Sequence, residues 1–111
     1  LFAGRDWLLG RNPWGQSFVI GVPEHGSYPT DPHSVVWKEL DIRLTGALVD
    51  GPVYGSIFGS LRGLRLTRED RFAAFQSELF VYHDDLGDYS TNEPTIDGTA
   101  SMLYILAWFA R

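Results

Sequence analysis

A chain of 111 residues that is 44% hydrophobic and 14% aromatic against 21% charged is too apolar for intrinsic disorder, and it is long enough for one modest core, since folding at this size hides only about two thirds of the unfolded surface. Nine Lys and Arg against fourteen Asp and Glu leave a net charge of −5; with no basic run or basic face, nucleic acid and anionic membrane are not expected as partners. The absence of cysteine removes disulfides, thiolate metal sites and a Cys nucleophile, and leaves the compartment open.

Leu1, Trp7 and Leu8 recur at helical spacing, and Gly10 stands where a left-handed cap would close the helix. Residues 1–10 therefore read as the last turns of a helix, and Leu1 in place of Met suggests a piece of a longer polypeptide. Asn12-Pro13, a short β-prone run at 17–20, and then Gly21, Pro23, Gly26 and Pro29 predict a long shaped loop. Pro32-His33 leads into 34–44, where the apolar residues keep no clean period, and the glycine-rich stretch 46–63 reads as another loop. Thr67 followed by Glu69 and Asp70 resembles a helix start, and Phe72, Phe75 and Leu79 sit at helical spacing. A helix is expected over the first half of that segment, with 79–82 equally compatible with extended chain. Residues 84–91 form a polar loop. Asn92 is a good N-cap, Glu93 and Pro94 suit a first turn, and 96–109 is apolar on nearly every face, which predicts a helix buried all round within a larger helical assembly. The most apolar stretch, 99–110, is about 12 residues, short of the roughly 20 that a bilayer crossing needs.

The order Tyr82, Asp84, Tyr89, Asn92-Glu93, Thr95 and Ala100 resembles the second signature of the family 9 glycoside hydrolases, the cellulase family built as an (α/α)6 barrel. Gly10-Arg11-Asn12-Pro13, then Ser17-Phe18-Val19 and Pro32-His33, follow the order of that family's first signature, and Gly46-Ala47-Leu48-Val49 and Gly51-Pro52 fall between the two. The resemblance implies an all-α fold, the C-terminal portion of an (α/α)6 barrel with long irregular loops, in which residues 1–111 form a single partial domain. It further implies hydrolysis of a β-linked glucan, as polysaccharide or oligosaccharide, without a cofactor, by a secreted or periplasmic protein. Residue by residue, it makes Glu93 the general acid, sets Asp84 beside it and puts His33 in the sugar-binding cleft. Departures fall at Val35, where the family has Arg, at Thr99, where it has Asn, and at Gly98, where it often has an aromatic. These bear on subsite contacts and so on glucan specificity. The stretch 53–81 is also longer than the family typically shows.

The chemistry of Glu93 can be argued without the family. Cleaving a glycosidic bond requires protonating a poor leaving group, so one carboxyl must hold its proton, which burial and neighbouring carboxylates favour. Asp84, Asp85 and Asp88 lie close in sequence, while the N-terminus of a helix would oppose by favouring the ionised form. The competing role for Glu93 is to cap its helix. Inversion needs a second carboxylate about 6.5–9.5 Å away to activate water. In the family that base comes from an Asp-rich motif near the N-terminal end of the catalytic domain, and no segment of this chain resembles it. The isolated chain is therefore expected not to hydrolyse polysaccharide.

Asp84-Asp85-Leu86-Gly87-Asp88 also fits the pattern with which isoprenoid synthases hold Mg²⁺, but a second acidic motif is lacking, so no metal site is expected. His25, His33 and His83 show no zinc-ligand spacing. Trp14, Trp37 and Tyr89 are candidates to stack on sugar faces, with a place in the core as the competing role. A non-catalytic carbohydrate-binding module or a plain structural helical module is the alternative function. Because 96–109 cannot bury every face among so few helices, the expected partner besides the glycan is the N-terminal part of the catalytic domain or a second copy of the chain.

Overall fold

The computed structural model describes residues 2–110, so Leu1 of the expected first helix lies outside them. Helix α1 (Phe2–Leu8) ends as expected. Gly10 adopts φ +113°, its N–H bonds the Trp7 carbonyl (3.3 Å) and the Arg11 N–H bonds that of Asp6 (2.8 Å), which together form a Schellman closure. Asn12 completes the turn, its Nδ2 donating to the carbonyls of Trp7 (2.8 Å) and Gln16 (2.7 Å). The Gly-Arg-Asn-Pro motif is thus a helix stop that aims residues 14–20 into the interior.

The interior is built by loops. Trp14, Phe18, Ile20, Val49, Phe72 and Tyr82 form the buried cluster, with Trp7, Leu8, Leu44, Ala47 and Leu48 packed against it. Phe18 and Tyr82 meet edge to face at 4.8 Å, and Trp14 meets Tyr82 at 5.6 Å, geometries that add to the burial of large rings. Isolated antiparallel bridges, Leu9 to Ser17, Val19 to Leu48, Val49 to Pro94 and Val53 to Val81, tie these loops together. No bridge extends into a strand among the described residues. The β-prone run 17–20 is therefore a bridging segment.

The remaining helices correct several sequence expectations. Residues 34–44 hold α2 (Val35–Leu40), capped by the Ser34 hydroxyl and ended by Asp41 in the left-handed region. Residues 46–63 hold α3 (Gly55–Ser60). The helix expected after Thr67 is only a 3₁₀ turn at Ala73–Phe75, because side chains take over the backbone's partners there. Asp70 Oδ1 accepts from the Phe72 N–H (2.8 Å), and the Gln76 amide both donates to the Tyr82 carbonyl (2.6 Å) and accepts from the Tyr82 N–H (3.1 Å); such local bonds compete with helix.

Helix α4 (Ile96–Phe109) starts later than the sequence suggested, with Thr95 rather than Asn92 at its N-cap. Asn92 is unavailable because its side chain is buried and donates to the Asp31 carbonyl (2.9 Å). Residues 93–95 instead run extended against 48–50. Only Met102 of α4 is buried, whereas Ile96 and Tyr104 are 91% and 77% exposed. The helix is unburied on most of its apolar face, and no helix among the described residues is long and apolar enough to cross a membrane. The architecture is helix-rich, compatible with the all-α expectation.

Candidate active site

The acidic run 84–88 is the hub of the loops, and each of its carboxylates serves a different one. Asp84 accepts from the backbone N–H groups of Thr30 (3.0 Å) and Asp31 (2.9 Å) and from the Thr30 hydroxyl (2.9 Å), and pairs with Arg71 (3.0 Å). Asp85 accepts from the Thr67 N–H (2.9 Å) and hydroxyl (3.0 Å), the Arg68 N–H (3.2 Å) and the Gly87 N–H (2.7 Å). Burial alone would raise its carboxyl, but these bonds outweigh it and hold it below its ordinary range. Asp88 accepts from His83 Nδ1 (2.7 Å), the Ser90 N–H (2.9 Å) and the Thr91 hydroxyl (2.7 Å), again lowering a carboxyl that burial would raise. His83, whose Nε2 lies 3.6 Å from Asp70, is a buried link between two loops.

These donors explain why the run does not suit a metal. The carboxylate oxygens already face N–H and O–H groups, and among the described residues no three His, Cys, Asp or Glu side chains converge as a cation site would require.

Above the hub, a closed polar network fixes the backbone before Glu93. Gln16 Nε2 donates to the Tyr82 hydroxyl (2.7 Å), which donates to Asn92 Oδ1 (3.4 Å); Asn92 Nδ2 reaches Asp84 (3.4 Å), and Arg71 joins Asp84 back to Gln16. Burial, and then the nearby Asp84, push the Tyr82 hydroxyl well above its usual range, so it stays a neutral donor. The carbonyls on either side are held as well. That of Asn92 accepts from the His33 N–H (2.9 Å), and that of Glu93 from the Asp50 N–H (3.0 Å).

On this fixed backbone Glu93 is exposed, and among the described residues its carboxylate has neither hydrogen bond nor ion pair. Asp84, Asp85 and Asp88 are all spent on protein donors. Asp84, expected beside the acid, is buried, and its oxygens are held by Thr30, Asp31 and Arg71. His33 is half-buried. Its Nδ1 bonds the Leu86 carbonyl (2.5 Å), so the proton sits on Nδ1 and Nε2 is left for another partner. The Tyr89 ring lies edge-on to it at 6.2 Å, and the Tyr89 hydroxyl donates to the Arg62 carbonyl (3.0 Å).

Trp37, on α2, lines a small cleft with Tyr28, Thr30, Pro32 and Arg43. Trp14, a candidate to stack on a sugar face, takes the competing place in the core. It is 5% exposed in the core, with its indole N–H directed at Gln76 (3.2 Å), and it offers no face to a ligand. Thr99, where the family pattern has Asn, accepts from the Leu48 N–H (3.0 Å) and donates to the Thr95 carbonyl (2.6 Å), fastening α4 to the 46–51 loop.

One acidic residue escaped the sequence reasoning. Asp50 stands in the extended pairing opposite Glu93, and although its side chain reaches solvent, partial desolvation first, and then the carboxylates of Glu93, Asp97 and Asp88, push it from 3.8 up to about 6. The only signal in the sequence was an acidic residue inside a run whose neighbours on both sides, Val49 and Gly51, fit the expected pattern.

Compared with known proteins, residues 2–106 match a family model described as Glycosyl hydrolase family 9. No curated protein and no solved structure matches the chain.

Proposed function

Because the chain belongs to glycosyl hydrolase family 9, we propose that it supplies the proton-donating side of a glycosidase site acting on a β-linked glucan, with Glu93 as general acid. Glu93 gives its proton to the glycosidic oxygen as the bond to the anomeric carbon breaks. A water molecule attacks the opposite face and loses its proton to a second carboxylate, and the configuration inverts. That carboxylate comes from outside these 111 residues. His33 Nε2 and Tyr89 contact the sugar beside the acid, and Trp37 stacks on a neighbouring unit. Asp84 is a positioning residue, holding the segments before His33 and Glu93 in one geometry.

The observation that carries this reading is the contrast among the carboxylates. Three are consumed by protein donors, while Glu93 is solvent-facing and unpartnered among the described residues, on a backbone pinned at both neighbouring carbonyls. A surface cap needs no such fixation, whereas a proton donor does, because small misplacement is costly in rate. In the complete catalytic domain, Glu93→Gln is expected to lower kcat on a soluble β-glucan by about a thousandfold without lowering the thermal midpoint; a rate close to the parent's would remove Glu93 from the mechanism. The isolated chain is expected to be inactive. Turnover by it, abolished by Glu93→Gln, would show that the base lies within it.

A second reading is favoured by Val35, which stands 74% exposed where the family pattern has a sugar-binding Arg: a module that binds glycan without cleaving it. Glucan binding by the complete protein with no product released would support that alternative.

A further inference from the structure

Asp50 and Glu93 meet through the register of the backbone. The bridge pairs Val49 with Pro94, the Asp50 N–H donates to the Glu93 carbonyl (3.0 Å), and the Thr95 N–H donates to the Leu48 carbonyl (3.1 Å). In an antiparallel pair this register sets Asp50 directly across from Glu93, on one face, with Cβ atoms about 4.5–5.5 Å apart. Val49 is 1% exposed and points into the core, so its neighbour Asp50 points outward, and both Asp50 and Glu93 are exposed. Like charges directly opposed across a pair destabilise it, and ordinary pairing would place a Lys or Arg at one position.

The surroundings offer no relief. Asp97 comes from the first turn of α4 and Asp88 from the 84–91 loop, and both raise the carboxyl of Asp50. Among the described residues no Lys, Arg or His is paired with Asp50, Glu93 or Asp97. The 92–95 segment contributes only Glu93 itself. Asp50, Glu93 and Asp97 thus stand near one another with no cation paired to any of them among the described residues, while Asp88 acts from the buried loop where His83 holds it.

We propose that Asp50 is a positioning residue for the general acid, forming with Glu93 a pair that holds one proton between two carboxyl groups and so keeps a proton available for transfer at near-neutral pH. The pair carries one negative charge. Donation to the glycosidic oxygen leaves both groups ionised and mutually repelling, and a proton from solvent restores the singly charged state. Two carboxyls that interact strongly titrate as a unit rather than as independent sites. The upward displacement of Asp50 to about 6 comes first from partial desolvation and then from Glu93, and the second contribution has the direction expected within such a pair.

This inference rests on Glu93 being the acid, and two measurements separate the two ideas. The first is a carboxyl ¹³C NMR titration of the chain as parent, Asp50→Asn and Glu93→Gln, with the amide spectrum checking that each variant is folded. Glu93→Gln is expected to lower the Asp50 midpoint by about one pH unit, and an Asp50 midpoint that does not move overturns the pair. The second is the pH–rate profile of the complete catalytic domain. Asp50→Asn is expected to move the alkaline limb of kcat/KM to lower pH by about one unit, with little change in KM, because the acid loses its proton earlier. A profile that stays in place while Glu93→Gln is inactive overturns the role of Asp50 alone. Full activity of Glu93→Gln with a normal NMR response overturns the acid assignment, and the proposed use of the pair falls with it.

Discussion

At the scale of the residue, what separates the acidic side chains is how many donors each one meets. Asp85 is surrounded by the N–H groups of Thr67, Arg68 and Gly87 and the Thr67 hydroxyl, so Asp85→Asn should destabilise the fold at pH 7 by about 2 kcal/mol, the scale of charged hydrogen bonds lost in a sheltered site. Its folded carboxyl lies below its ordinary 3.8, so the stabilisation is fully present above that value and is lost as pH falls through the folded one. Urea unfolding of parent and variant should accordingly converge as pH falls well below 3.8; a gap that persists there would mean that packing, not charge, is responsible. Asp50 has the opposite sign. Its carboxyl is raised to about 6, so its contribution is most favourable below 3.8 and is lost as pH rises through about 6. Asp50→Asn should therefore melt higher than the parent at pH 7 and level with it near pH 4, as calorimetric scans at the two pH values would show.

At the scale of the element, the hub works only because two loops approach within contact. A Cβ on Gly87 would lie 1.8 Å from the Arg65 carbonyl oxygen, a backbone atom that cannot rotate away, so Gly87→Ala should cost about 3 kcal/mol and release the 65–68 segment from Asp85. Faster amide exchange of Thr67 and Arg68 would report that release, and unchanged protection would show that the loops tolerate the separation. None of this approach was legible in the sequence, where Gly87 appears only as one position of the 84–88 run. The end of α1 was legible because Gly10 and Asn12 act within a few residues of one another. Helices α2 and α3 were not, since six residues are too few to show a period. The expected helix after Thr67 failed for a related reason. Its helical spacing is real, but Thr67 is committed to Asp85, 18 residues on, which no local pattern announces, and Asp70 and Gln76 take local backbone partners that compete with helix. The ordered spacing from Tyr82 to Ala100 pointed to Glu93 and Asp84, and the Pro32-His33 motif to His33, but neither could say that Asp84 is buried while Glu93 is exposed.

At the scale of the whole molecule, the apolar surface and the site belong to the same problem. Thr99 ties α4 to the 46–51 loop that carries Asp50, so whatever covers α4 also bears on the segment opposite Glu93. Ile96, Leu103, Tyr104 and Ile105 stand 91%, 58%, 77% and 49% exposed along that helix. A groove between α1 and α4, lined by Leu8, Met102, Ile105 and Leu106, adds apolar surface on another side of the same helix. We propose that in the complete catalytic domain the remaining part of the domain covers this surface, and that for the chain alone a second copy does. Apolar surface of this extent is seldom left in water, and a net charge of −5 is too small to hold copies apart once salt screens it. Sedimentation velocity on the chain is thus expected to show species above 12.5 kDa at high concentration, and more of them as salt rises. Leu103→Lys with Ile105→Lys should return the chain to the monomer while far-ultraviolet dichroism keeps the helical signal. A parent chain that sediments as a monomer under the same conditions would mean that α4 is stable uncovered, and the picture of a partner completing both the fold and the site would have to be given up.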